Sequence, residues 1–141
     1  MIVKQLSIFL ENRSGRLAEV AATLGDAGIN MTAFSIAENT DFGILRLIVS
    51  DPEKAMQVLK EKLFGVTLSD VLCVRCPNAP GALSKVLEIL KEKDISIEYM
   101  YAFACDDSAN VVIRPNRLEE CIQILQENKI GLLAASDLYQ L

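Results

Sequence analysis

Histidine and tryptophan are both absent from the 141-residue sequence. Without histidine there is no imidazole to act as a general base, to complete a Ser-His-Asp triad or to ligate a metal. Proline is scarce, at 4 residues, and no Pro-rich or Gly/Ser-rich linker interrupts the chain. No apolar run approaches the roughly 18 residues that a membrane helix needs. The stretch from Met1 to Ser7 lacks the basic segment, long apolar segment and small-residue cleavage site of a secretory signal. A cytoplasmic location with no membrane partner is therefore expected, and with it free thiols at Cys73, Cys76, Cys105 and Cys121. Positive charge is in deficit, with 14 Lys and Arg against 19 Asp and Glu, a net charge of −5. That balance argues against a protein that grips phosphate backbones, so no nucleic-acid partner is expected. What is present is a globular composition, 51% hydrophobic and 23% charged, enough for one ordinary domain or two small ones.

The sequence repeats itself. Offset by 66 positions, the two halves align without a gap from Asn12 to Gly65. Asn12 then meets Asn78, Gly15 meets Gly81, Leu17 meets Leu83, Val20 meets Val86, Leu24 meets Leu90 and Ile29 meets Ile95. Further on, Glu53, Gln57, Leu59, Glu61 and Gly65 meet their own kind at Glu119, Gln123, Leu125, Glu127 and Gly131. Composition alone would supply about three such identities over this length. The chain is thus a duplication, read as domains 1–69 and 70–141 joined at Ser69-Asp70.

Each copy has the same order of elements. Leu6, Ile8 and Leu10 alternate with Ser7 and Phe9, a strand of period two. After the turn Asn12-Arg13-Ser14-Gly15, the residues Leu17, Val20, Ala21 and Leu24 fall at helical spacing, and Gly28 suits the stop. Ile29 to Ile36 and Phe42 to Val49 read as strands around a turn at Glu38 to Asp41. Ser50 and Glu53 have capping-box spacing ahead of a second helix, as do Asn116 and Glu119. A last strand is expected near Val66 to Leu68. The fold class is therefore α+β: two ferredoxin-like βαββαβ units in tandem, each with two helices on one face of an antiparallel sheet.

The turn after the first strand is the candidate site. It reads Glu11-Asn12-Arg13-Ser14-Gly15-Arg16-Leu17 in the first copy and Pro77-Asn78-Ala79-Pro80-Gly81-Ala82-Leu83 in the second, sharing Asn-x-x-Gly-x-Leu. The glycine permits backbone angles that other residues resist and lets another group approach closely. The turn opens a helix, whose first amides lack internal partners and whose dipole is positive there, so it offers a seat for a small carboxylate or phosphate. The asparagine adds a donor and an acceptor. Asn and Gly are also ordinary turn residues, and Ser14 can serve simply as a cap.

A duplicated βαββαβ unit with this motif resembles the ACT domain family of small-molecule-sensing regulatory domains. The family's second anchor, a Gly-Ile-Asn step into the second strand, is present as Gly28-Ile29-Asn30 and altered to Asp94-Ile95-Ser96 in the second copy. The resemblance implies sheets set side by side, edge to edge, with a free amino acid bound at the seam between paired units. It implies ligand contacts from Asn12, Arg13, Ser14, Gly15 and Asn30 in the first copy, and from Asn78, Ala79, Pro80, Gly81 and Ser96 in the second. Loop amides would hold the carboxylate; the Asn side chains and strand carbonyls would hold the ammonium. No catalysis, cofactor or metal is implied. The expected partners are an amino-acid effector, a second copy of the chain in a homodimer, and an enzyme or regulator of amino-acid metabolism. Pro80 cannot donate an amide where Ser14 can, so the two copies should differ, the first holding its ligand better.

Three other readings compete. The chain could be an assembly module with no ligand. Cys73-Val74-Arg75-Cys76 has the spacing of a metal or redox motif, but on a regular strand the two thiols face opposite ways. Tyr99, Tyr101 and Phe103 share a strand face, as RNA-stacking residues do, yet the neighbouring Glu98 and the net negative charge favour packing.

Overall fold

The computed structural model describes residues 1–11, 13–38, 41–105 and 107–141. Asn12, on which the first loop's expected Asn contact rests, lies outside the described residues, as do Asn39, Thr40 and Asp106. The elements run β1 (Val3–Glu11), α1 (Arg16–Asp26), β2 (Met31–Glu38), β3 (Phe42–Val49), α2 (Pro52–Glu61), β4 (Gly65–Pro77), α3 (Ala82–Glu92), β5 (Ile97–Cys105), β6 (Ser108–Pro115), α4 (Leu118–Glu127), β7 (Gly131–Leu132) and α5 (Ala135–Tyr139). The chain packs as two compact units. One comprises Lys4–Ser69 with Ser136–Leu141, the other Asp70–Ala135 with Met1–Val3.

In the first unit the strands lie in the order β2-β3-β1 with antiparallel neighbours, Leu6 opposite Leu47 and Ser35 opposite Arg46. Gly65 at the start of β4 lies against Phe9 of β1. In the second unit the order is β7-β4-β6-β5, with Val74 opposite both Val111 and Leu132. The helices bury the strand faces that alternation predicts. Leu6, Ile8 and Leu10 of β1 meet Val20 and Leu24 of α1 and Ala55 and Leu59 of α2. Leu72, Val74 and Cys76 meet Val86, Leu90, Cys121 and Leu125 in the second core. Every one of these pairs is separated by the repeat distance, so the duplication is carried by the packing itself. Cys76 and Cys121 occupy the places of Leu10 and Ala55, as small apolar fillers.

The backbone repeats as well. Positive φ occurs at Gly15, Gly28 and Leu63 in the first copy and at Gly81, Asp94 and Lys129 in the second. The later two of each set end helices in the same way: Ile29 N–H donates to the Leu24 carbonyl over 2.9 Å and Ile95 N–H to the Leu90 carbonyl over 2.9 Å. Such left-handed ends satisfy carbonyls that the helix leaves open.

Three details differ from the sequence reading. The last strand of the first copy and the first strand of the second are one 13-residue strand, β4, because no breaker lies between Val66 and Val74. The N-cap of α2 is Asp51, whose carboxylate accepts from Lys54 N–H over 3.2 Å, one residue later than the Ser50–Glu53 box. α4 likewise begins after Arg117, with no side-chain cap, rather than after Asn116.

Candidate functional site

Gly15 and Gly81 are the N-caps of α1 and α3, at φ 91 and 85, and neither helix has a side-chain cap on its first turn. At φ near +90° an L side chain is strained, so the shared glycine is required by the turn. Around it Arg13, Ser14, Asn78, Ala79 and Pro80 are all exposed. Arg13 donates its N–H to the Glu11 carbonyl over 2.8 Å, and its guanidinium lies 3.4 Å from the Glu11 carboxylate. In the second copy Asn78 N–H is taken by the Asp107 carbonyl over 3.1 Å, and Ala82 N–H by the Ala79 carbonyl over 3.2 Å.

The first loop borders a cavity of about 130 Å³ that holds both signs of charge: Arg13 and Arg16 on the helix side, Glu11 and Glu38 on the strand side. Arg16 is held by Glu19 at 2.7 Å and lies 4.3 Å above the Phe64 ring, with its Nε buried and unpaired. Leu17 and Ile36 line this cavity and also an adjoining apolar groove of about 610 Å³ that includes Ala21, Met31 and Phe34. Phe34 is 62% exposed, an unusual setting for a large apolar ring.

Asn30 and Ser96 sit elsewhere in their units. β1 and β2 run in the same direction on either side of β3. The end of β2 near Glu38 therefore faces the loop, and Asn30, just before β2, lies at the opposite end of the strand, roughly 25 Å away by strand rise. Within one unit the loop residues and the strand-two residue are not brought together. Asn30 is instead locked by its backbone. Its N–H donates to Ser50 Oγ over 2.9 Å, and its carbonyl accepts from Ser50 N–H over 3.0 Å. Its side-chain amide donates to the Leu141 carbonyl over 3.2 Å. Ser96 and Asn116 repeat the lock at 3.1 and 3.0 Å. Ser50 and Asn116 were legible as a repeat pair, but their spacing to Glu53 and Glu119 pointed to helix caps.

Cys73 and Cys76 take opposite faces of β4. Cys76 lies in the helix-side core and its thiol donates to the Ala109 carbonyl at 3.6 Å. Burial pushes the Cys73 thiol up to about 12, against a smaller opposing pull from Arg75, and the Cys121 thiol up to about 11. Tyr99, Tyr101 and Phe103 are half-buried and pair in register with Arg114, Val112 and Asn110 of β6. Among the described residues no helix is long and apolar enough to cross a membrane.

Comparison with solved structures finds protein BT0572 from Bacteroides thetaiotaomicron, 58% identical with a TM-score of 0.97, over 100% of this chain and 98% of that one. The regulatory subunits of aspartate kinase from Thermus thermophilus, in its ligand-free form, and from Thermus flavus are each 14% identical, with TM-scores of 0.68 and 0.63. Both matches cover 90% of this chain, and 96% and 94% of theirs, a likeness of fold. No curated protein sequence matches the chain. The family model for an ACT domain pair matches residues 1–141. With the duplicated βαββαβ fold, the left-handed glycine at each first helix and that match over the full length, the chain belongs to the ACT domain pair family.

Proposed function

We propose that the chain is a non-catalytic regulator that binds a free amino acid with an apolar side chain, and that the first copy supplies the better carboxylate seat. The observation that supports this reading best is the small cavity at the Gly15 turn. An uncapped helix start favours a carboxylate. Glu11 and Glu38 on the facing side suit an ammonium, and the cavity shares Leu17 and Ile36 with an apolar groove large enough for a side chain. A zwitterion with an apolar tail matches that sequence of surfaces. Asn12, beside the same turn, is retained in the proposed contact set, with Arg13, Ser14 and Gly15. Asn78, Ala79, Pro80 and Gly81 form the weaker counterpart, having two loop amides already engaged and a third missing at Pro80.

Asn30 and Ser96 enter this reading through a second copy of the chain. β2 and β5 are terminal strands of their units and leave one edge without a strand partner among the described residues. Exposed Phe34, Ile36 and Met100 lie on those two strands. We infer a homodimer joined through these edges, in which the start of a strand from one chain completes the loop of another. The same exposed surface would equally serve an assembly module without a ligand. Free thiols at all four cysteines suit a reducing cytoplasm. The fold shared with aspartate kinase regulatory subunits makes an enzyme of amino-acid metabolism the proposed target of regulation. Isothermal titration of the full chain against the twenty amino acids tests the proposal: saturable binding confined to apolar members is expected. Silence across the panel at millimolar ligand would leave the assembly role.

A further inference from the structure

The second copy contains a cleft that the first copy closes with its own side chain. In the first unit the Arg16 guanidinium covers the Phe64 ring at 4.3 Å and is neutralised by Glu19 at 2.7 Å. The residues one repeat later are Ala82, Ile130 and Lys85. Ala82 is too short to reach across, so the space stands open as a cleft of about 230 Å³ between the edge of β4, the first turns of α3 and the turn into β7. Its floor is apolar, from buried Cys76 and Val86. Its charged lining is Arg75, Lys85 and Lys129, with no carboxylate. Among the described residues none of these three cations has an acidic partner within ion-pair distance.

The three cations are particular to this copy. One repeat earlier the same positions hold Phe9, Glu19 and Leu63, so the second copy has gained two positive charges and reversed a negative one. This happened in a chain whose net charge is −5. Lys85 lies one turn into α3, where the helix dipole disfavours a cation, and the first turn of that helix contains no acidic residue to compensate. The three cations line an apolar cleft with no carboxylate among them, so an anion entering it relieves their mutual repulsion. We propose that this cleft binds a small dianion, a phosphomonoester or a dicarboxylate, at a site distinct from the cavity at the Gly15 turn; it shares Pro77 and Ala82 with the second copy's own turn. Lys85 and Lys129 would contact the anion from the two sides, and Arg75 from the strand edge.

The test uses the full ¹⁵N-labelled chain, titrated with sodium phosphate and, separately, sodium succinate, with sodium chloride holding the ionic strength constant. Saturable shifts are expected at the amides of Ala82, Lys85 and Gly131. Lys85→Glu and Lys129→Leu, which restore the first copy's residues at exposed positions, should each weaken binding about tenfold or more, the scale of one charge-assisted hydrogen bond. Tighter phosphate binding assigns a phosphoryl ligand, and tighter succinate binding a dicarboxylate. Linear shifts that chloride reproduces would overturn the site. So would an equal loss in Lys60→Glu, which makes the same charge change on α2 far along the sequence and leaves the cleft intact.

Discussion

Replacing Gly15 by alanine should destabilise the first unit by about 1 kcal/mol, and the whole of that loss should come from the backbone. A Cβ added at Gly15 meets nothing within 4 Å, so no clash contributes. The residue sits at φ 91 and ψ −15. Holding an L residue in the left-handed region costs roughly 1–2 kcal/mol, and stiffening the unfolded chain returns about 0.4–1 kcal/mol, leaving about 1 kcal/mol. Urea denaturation at unchanged m-value would read this as a lowered midpoint. Two controls separate the backbone argument from a steric one. Asparagine tolerates the left-handed region better than alanine although it is larger, so Gly15→Asn should cost less than Gly15→Ala. Gly25, inside α1 and also with nothing within 4 Å of its Cβ, should respond with the opposite sign, Gly25→Ala stabilising by about 0.5–1 kcal/mol. Gly81→Ala should track Gly15→Ala. The reasoning is refuted if alanine at position 15 is neutral, or if asparagine there costs more than alanine.

Four further outcomes follow from the same geometry. Ser50→Ala removes the acceptor for Asn30 N–H and should cost about 0.5–1.5 kcal/mol in a denaturation assay, with Asn116→Ala doing the same at Ser96. Phe34→Arg, at a ring 62% exposed in the single chain, should leave folding unchanged and convert a sedimenting dimer to monomer; an unaltered dimer would move the interface elsewhere. Asn110 is 1% exposed with neither side-chain amide atom bonded, and the equivalent residue in the first copy is Ile44. Asn110→Val should therefore raise stability by about 1–3 kcal/mol, and a lower melting temperature would show that the amide has a partner in solution. The Cys73 and Cys121 thiols, held up at about 12 and about 11, stay protonated in the fold while the unfolded chain deprotonates near its ordinary 9.0, so the native state binds more protons above that pH. Stability should be flat below about pH 9 and then fall by up to about 1.4 kcal/mol per pH unit per thiol, which denaturation midpoints across pH 8–11 would measure.

The architecture was legible because two independent periodicities agreed. Alternation at Leu6, Ile8 and Leu10 and helical spacing at Val20 and Leu24 each name a buried face, and the 66-residue offset names the same face again at Leu72, Val74, Val86 and Leu90. What could not be read was local competition between near-equivalent groups. Ser50 and Asp51 are both good cap residues, and the choice went to Asp51 because Ser50 lies where its hydroxyl can reach Asn30 N–H across the strand turn. Position in a strand order was also hidden. Asn30 and the Gly15 turn are close in sequence, but placing them at opposite ends of β2 depends on β1 and β2 running in the same direction. The short α5 carries too little periodicity in five residues to announce itself, although Leu138 is buried and Tyr139 accepts Lys4 N–H through its hydroxyl at 2.8 Å.

The duplication also explains why the two copies can diverge in chemistry without losing the fold. The positions held constant in geometry are those where backbone angle or main-chain pairing is at stake: the glycine caps, the left-handed helix ends and the locks at Asn30 and Ser96. At the helix ends even residue type is free, since Gly28 and Asp94 adopt φ 74 and 57 with the same hydrogen bonds. Side chains around that frame are then exchanged in compensating sets. Arg16 pairs with Glu19 and lies over Phe64, and Ala82, Lys85 and Ile130 replace all three. Changing only Glu19 to lysine in the first copy would set two cations side by side over Phe64 with no anion, a repulsive arrangement. The second copy avoids it because the arginine is gone as well, and the vacated volume is where a ligand's charge can substitute for the lost glutamate.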